Sequence, residues 1–184
     1  MSEPFFDCAN FELDLSFVAP SQELLEGLAD QTSTFVFAET VFWETHLKGW
    51  IQFIRSERTL LCPELVRISP VLSMGLQFTD DPNITVLNSS WCNKAETTDV
   101  LSFPAFDEKM ISPLDQSIEL GDIVVSLSTA ERQAQEFKHS LVNELRWLVS
   151  HGLLHLLGWD HPNDESLKEM LLCQEQLLLV GGNL

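Results

Sequence analysis

Residues 10–17, NFELDLSF, alternate apolar and polar side chains, the period of a strand with one buried face. Over 21–58 the period changes. Phe42, Trp43, Leu47, Trp50, Ile51 and Ile54 recur at spacings of three and four, which lines them along one side of a helix. Gly49 weakens that helix by about 1 kcal/mol relative to Ala. The aromatics Phe35, Phe42, Trp43, Trp50 and Phe53 could suggest a stacking surface for bases, but helical spacing in a small domain assigns them to the core. Pro63 and Pro70 flank a link into a second strand, 74–79. Asp80-Asp81-Pro82 then opens a short helix to about Ser90, with Asp as cap and Pro near the first position.

Polar, irregular residues 91–99 lead into a third strand, VLSFPAF, which Pro104 confines to an edge or a bulge. Segment 107–119 has the composition of a surface loop, and Gly121-Asp122 opens a fourth, apolar strand, IVVSL. Ser128-Thr129-Ala130-Glu131 fits a capping box for a helix to about Lys138. Ser140 caps the next helix, with Leu141, Leu145, Leu148, Val149, Leu153 and Leu156 in its apolar stripe and Gly158 as its stop. Asp164 caps a last helix carrying Leu167, Met170, Leu171, Gln174 and Leu178. Strands first and helices afterwards predict an α+β fold. The expected architecture is one domain over 1–184, a small mixed four-stranded sheet with helices layered against it.

Composition narrows the class. A chain of 184 residues, 45% hydrophobic and 21% charged, suits one soluble core. Cys8, Cys62, Cys92 and Cys173 are scattered without a C-x-x-C pair, against a disulfide scaffold or thiolate zinc knuckle. The N-terminus lacks a signal-peptide pattern, and no apolar run approaches the roughly 20 residues of a membrane span, so the cytoplasm is the expected location, without membrane attachment. The net charge of −18 is opposite to that of a typical nucleic-acid binder. A polyanionic partner needs a cationic patch or a metal to meet such a chain.

That cation has a place in His151-Gly152-Leu153-Leu154-His155-Leu156-Leu157-Gly158-Trp159-Asp160-His161. Side chains four apart on a helix share a face, so the imidazoles of His151 and His155 can converge on one ion. Gly158 lets the chain turn back and deliver His161. Three neutral imidazoles leave the double charge intact and one position open, the catalytic arrangement of zinc. Nickel and cobalt also accept imidazole. His46 and His139 lack such neighbours and are expected at surface or boundary positions. Gly152 stands where the H-E-x-x-H peptidases carry their glutamate base, which disfavours peptide hydrolysis. Asp160 can accept an imidazole N–H, act as a base beside the metal, or cap the turn. Glu144 either buttresses the site or faces solvent.

HGLLHLLGWDH, with TTDVLSFPAF and GDIVVS upstream, resembles the YbeY family of bacterial endoribonucleases, from about residue 74 to the C-terminus. Region 18–70 is a poorly matched helical part, resembling at most that of cyanobacterial members. The resemblance implies an α+β domain holding zinc on His151, His155 and His161. It also implies cleavage of single-stranded RNA, maturation of the 16S rRNA 3′ end and ribosome quality control. Thr98, Asp99, Val100, Leu101, Ser102 and Phe103 match a segment expected to line the cleft. Trp91-Cys92-Asn93-Lys94 departs from the family's aromatic-Arg-x-Lys: Cys92 replaces an arginine, and Thr97 a proline. Cys92 has no charge or donor fork for phosphate, leaving Lys94 as a point-like clamp; as a fourth ligand, Cys92 would close the site.

The expected reaction is zinc-assisted cleavage of an RNA phosphodiester, with water ionising near pH ~7. Either hydroxide attacks phosphorus or the neighbouring 2′-OH does. Lys94 would offset transition-state charge. Ser102 would donate a hydrogen bond or serve as a structural hydroxyl. Expected partners are single-stranded or ribosomal RNA, the ribosomal subunit and ribosome-associated proteins. Oligomeric state is not legible. The rival expectation is a non-catalytic, zinc-stabilised ribosome-maturation factor that recruits proteins.

Overall fold

The structure, a computed structural model, describes residues 10–29, 35–107 and 117–180. β1 (Glu12–Val18), β2 (Val71–Thr79), β3 (Val100–Pro104) and β4 (Ser117–Ser126) form one sheet in the order β1-β2-β4-β3. β1 and β4 both run parallel to β2, and β3 is antiparallel to β4, so the sheet is mixed and four-stranded as expected. β3 lies at an edge, where Pro104 removes no bond from an inner ladder.

The fourth strand begins at Ser117, earlier than Gly121-Asp122. A bulge hides its start. Ser73 pairs with Glu119 but Met74 with Gly121, so Leu120 is extra, and the core-facing set shifts from Ile118 and Leu120 to Ile123 and Val125. Gly121 has φ +118°, and a Cβ there would stand 2.0 Å from the Phe103 carbonyl oxygen. The expected loop 107–119 falls largely on 108–116, outside the described residues.

Segment 21–58 is not one helix. It holds α1 (Gln22–Glu26), a 3-10 turn (Val36–Ala38) and α2 (Thr40–Ser56). Trp43, Leu47, Trp50, Ile51 and Ile54 are buried along α2, in the core as expected. His46 is buried with them, its Nδ1 2.7 Å from the Phe42 carbonyl, a correction to its expected surface or boundary position. Burial also lowers its pKa. After α2, the buried Arg67 of α3 (Glu64–Ile68) donates to the Ile54 and Leu60 carbonyls at 3.0 and 3.1 Å. It satisfies the helix end and the link that follows.

α4 (Asp81–Cys92) is capped by Asp80 as expected. α5 (Leu127–Phe137) is capped by Ser126, not Ser128, because the strand runs straight into the helix. α6 (Leu141–Leu156) has its expected Ser140 cap. α7 (Asp164–Val180) is capped by Asn163 in place of Asp164; the Asn163 side-chain oxygen accepts from the backbone N–H groups of Glu165 and Ser166. The main core fills the sheet face toward α2, α6 and α7, and Ile84, Leu101 and Val124 form a smaller cluster on the other face. No described helix is long and apolar enough to cross a membrane.

α6 lies against β3 and β4 at Gly152. A Cβ there would stand 2.9 Å from Ile123 Cγ2 and 3.1 Å from Ser102 Oγ. The missing side chain lets the helix touch the sheet, with its histidines on another side.

Candidate metal centre

α6 and its exit loop bring together His151, His155 and His161. The helix ends as the glycine predicts: Trp159 N–H donates to the Leu154 carbonyl and Gly158 N–H to that of His155, each at 3.0 Å, with Gly158 at φ +90°. This is a Schellman turn. It folds the chain back, and the backbone N–H of His161 donates to Asp160 Oδ1 at 2.8 Å. The ring centroids of His151 and His155 are 4.7 Å apart, and His161 stands 5.5 and 5.2 Å from them. One ligating nitrogen from each ring lies within 4.8 Å of the other two. Among the described residues, no cysteine or carboxylate joins that group. Cys92 is exposed at the last residue of α4.

The outer ring nitrogens decide what the inner ones can do. His155 Nδ1 lies 2.9 Å from the Trp159 carbonyl, which can only accept, so this nitrogen carries the proton. His151 Nδ1 lies 3.3 Å from Gln174 Oε1. Both Nε2 atoms are thereby left as lone pairs, and they face each other at 3.1 Å. Two facing lone pairs repel unless a cation stands against both. Two imidazole nitrogens on a tetrahedral zinc, with Zn–N of 2.0–2.1 Å, are about 3.3 Å apart. The donor set and spacing fit such an ion.

Burial, the nearest basic ring and its hydrogen bond all act on His151: desolvation and His155 lower its pKa, against a smaller upward pull from Gln174. Desolvation likewise lowers that of His155, opposed by its bond to Trp159 and by the nearby Asp160 charge. Both shifts favour the neutral ring that a metal requires.

The remaining expected residues have different settings. Ser102 Oγ, on β3, is 3.3 Å from the Gly152 carbonyl and ties strand to helix. Asp160 is exposed and engaged in the turn. Lys94 is exposed beyond α4, its backbone turned by Asn93 at φ 56°. Glu144 neither buttresses the histidines nor faces solvent; it is buried at the start of α6, bonded to His139. Two contacts escaped the sequence reading. Gln174, fully buried on α7, meets His151, its only prior sign being a polar residue in an apolar stripe. Trp159 Nε1–H donates to the Leu61 carbonyl at 3.0 Å, anchoring the histidine loop to the link after α2, a contact with no local signature.

A mixed sheet with a helix-and-loop histidine triad defines an α+β protein equipped to hold a metal ion. The family model described as endoribonuclease YbeY matches residues 39–180, and the chain belongs to that family. It is 54% identical over 173 residues to endoribonuclease YbeY of Prochlorococcus marinus strain MIT 9313, covering 94% of this chain and 92% of the relative. It is 59% identical over 167 residues to the protein of the same name from Synechococcus sp. strain CC9605, covering 91% and 98%. A solution structure from Thermotoga maritima shares the fold at TM-score 0.52 and 22% identity, over 91% of this chain and 88% of that one.

Proposed function

We propose that this chain is a zinc-dependent endoribonuclease that cuts single-stranded RNA in the cytoplasm, acting in 16S rRNA 3′-end maturation and ribosome quality control. Family membership supports the ribonuclease activity. The observation that carries the metal requirement is the pair of Nε2 lone pairs 3.1 Å apart, with His161 as a third donor. His151, His155 and His161 would hold the ion, which when bound supplies Lewis acidity and brings water ionisation close to neutral pH.

The chain's own side chains position. Trp159 and Gln174 present His155 and His151 in one tautomer, and Asp160 fixes the turn that delivers His161. Ser102 keeps β3 on α6, so the strand edge stays beside the histidines. Lys94 is assigned the role of a point charge for the scissile phosphate, since Cys92 has no donor fork. Zinc-loaded protein should cut single-stranded and ribosomal RNA, and a His155→Ala variant should not. Product ends distinguish attack by water from attack by the 2′-OH, which leaves a cyclic phosphate. Equal rates for the two proteins would overturn the proposal.

A second reading, a non-catalytic zinc-braced factor that recruits basic proteins of the ribosome, is favoured by charge. Glu12 and Asp14 on β1 and Glu119 and Asp122 on β4, the two strands that flank β2, are exposed, in a chain of net charge −18. Such a face repels naked RNA and attracts basic surfaces. Loss of ribosome association in Asp122→Lys, with RNA cleavage unchanged, would assign this face to protein partners within the enzymatic reading. Absence of any cleavage by folded, zinc-loaded protein would leave the second reading alone.

A further inference from the structure

α7 contributes a side chain that packing alone does not call for. Gln174 is fully buried, beside the buried Met170, Cys173 and Leu177 of the same helix. An apolar residue would pack there without desolvating an amide, which is costly when its bonds are not replaced. Both ends of the amide are used. Nε2 donates to the Trp147 carbonyl at 2.8 Å, and Oε1 faces His151 Nδ1 at 3.3 Å.

The first contact determines the second. The Trp147 carbonyl is an acceptor, already receiving the Ser150 hydroxyl at 2.9 Å, so only the NH₂ end of Gln174 can point to it. A flipped amide would set two oxygens against each other and leave the NH₂ facing His151. In the favoured orientation Oε1 can only accept, so His151 must carry its proton on Nδ1. We propose that Gln174 is a positioning residue of the metal centre, its amide holding His151 in the Nδ1–H tautomer so that the Nε2 lone pair faces the cation. This rests on the reading that His151, His155 and His161 hold zinc.

The chemistry differs from that of a histidine backed by a carboxylate. An amide oxygen directs the ring without adding negative charge, and a contact of 3.3 Å is long for a strong hydrogen bond. Gln174 therefore orients His151 more than it raises its basicity, leaving more positive charge on the ion. His155 receives the same treatment from a backbone carbonyl, which no substitution of its own side chain can remove. Gln174 is thus the adjustable half of the outer support.

The test uses the full-length protein, prepared metal-free, with zinc alone as probe. Nitrogen NMR of ¹⁵N-histidine-labelled wild type should show the His151 proton on Nδ1. Gln174→Leu and Gln174→Met should lose about 10–100-fold in zinc affinity, measured by chelator competition. Their metal-free urea midpoints should match or exceed that of the wild type. A wild-type His151 protonated on Nε2 would overturn the proposal even if no variant folds. So would zinc affinity unchanged in folded Gln174→Leu or Gln174→Met. A wild type that binds no zinc would instead overturn the metal site itself.

Discussion

The two ends of α6 both place histidine beside a polar partner, yet they do different work. At the first turn His139 meets Glu144, a buried carboxyl at the end of the helix where the macrodipole favours negative charge. One ring and one acid complete each other, and nothing further is required. At the last turn His151 and His155 meet only neutral acceptors, the Gln174 amide and the Trp159 carbonyl, and turn their other nitrogens inward. A histidine with an acid of its own is a structural pair. Histidines backed by neutral oxygens and facing one another have the donor arrangement that can hold a cation.

Removing a ring from each end separates these roles most sharply. His155→Ala should reduce zinc affinity and RNA cleavage by more than about 100-fold, beyond the range for outer partners, with the metal-free fold retained. Zinc stoichiometry and cleavage assays check this. A Gly152→Glu change, which writes the peptidase motif into the helix, should destabilise by about 3 kcal/mol or more by forcing a carboxylate between α6 and Ile123. A melting temperature within about 2 °C of wild type would contradict that packing. At the other end, His139→Ala leaves the Glu144 carboxyl buried without its partner and should cost about 1–3 kcal/mol, with zinc affinity unchanged. Urea unfolding with zinc titration reads both quantities.

The smallest effect belongs to a carboxylate with several donors near the surface. Burial acts to raise the Asp81 pKa, but bonds from Ser126, Thr129 and Arg132 outweigh it and hold the carboxyl below its ordinary value. A lowered folded pKa stabilises above the unfolded value of about 3.9 and is lost as pH falls through the folded one. Asp81→Asn should therefore cost about 1 kcal/mol at neutral pH, the gap from wild type closing below pH ~4. A gap that is constant with pH would remove the charge from the explanation.

Where function depends on local spacing, the chain was easy to read. His151 and His155 share a helix face by period alone, and Gly158 announces the reversal that brings His161. Pro104 at the edge and Ser140 at its cap are local rules obeyed. The misreadings arose where a distant partner changes the meaning of a residue. Leu120 breaks strand alternation because β2 fixes the register on either side of it. Ser126 replaces Ser128 as cap because β4 leads into α5 without a loop. His46 is the exception: it stands four residues from both Phe42 and Trp50 on one side of α2, so the local period itself carries its burial. Gln174 is 23 positions from the ring it directs, and no period in α7 marks such a contact.

Gly152 also bears on how such chains are classified. A search tolerant of one mismatch would collect this helix with the H-E-x-x-H proteases, since only the residue after the first histidine separates the patterns. Space keeps the glutamate out here: that position touches a strand and has no room for an acid. The contact behind that residue is a better guide to kinship than the histidines in front of it.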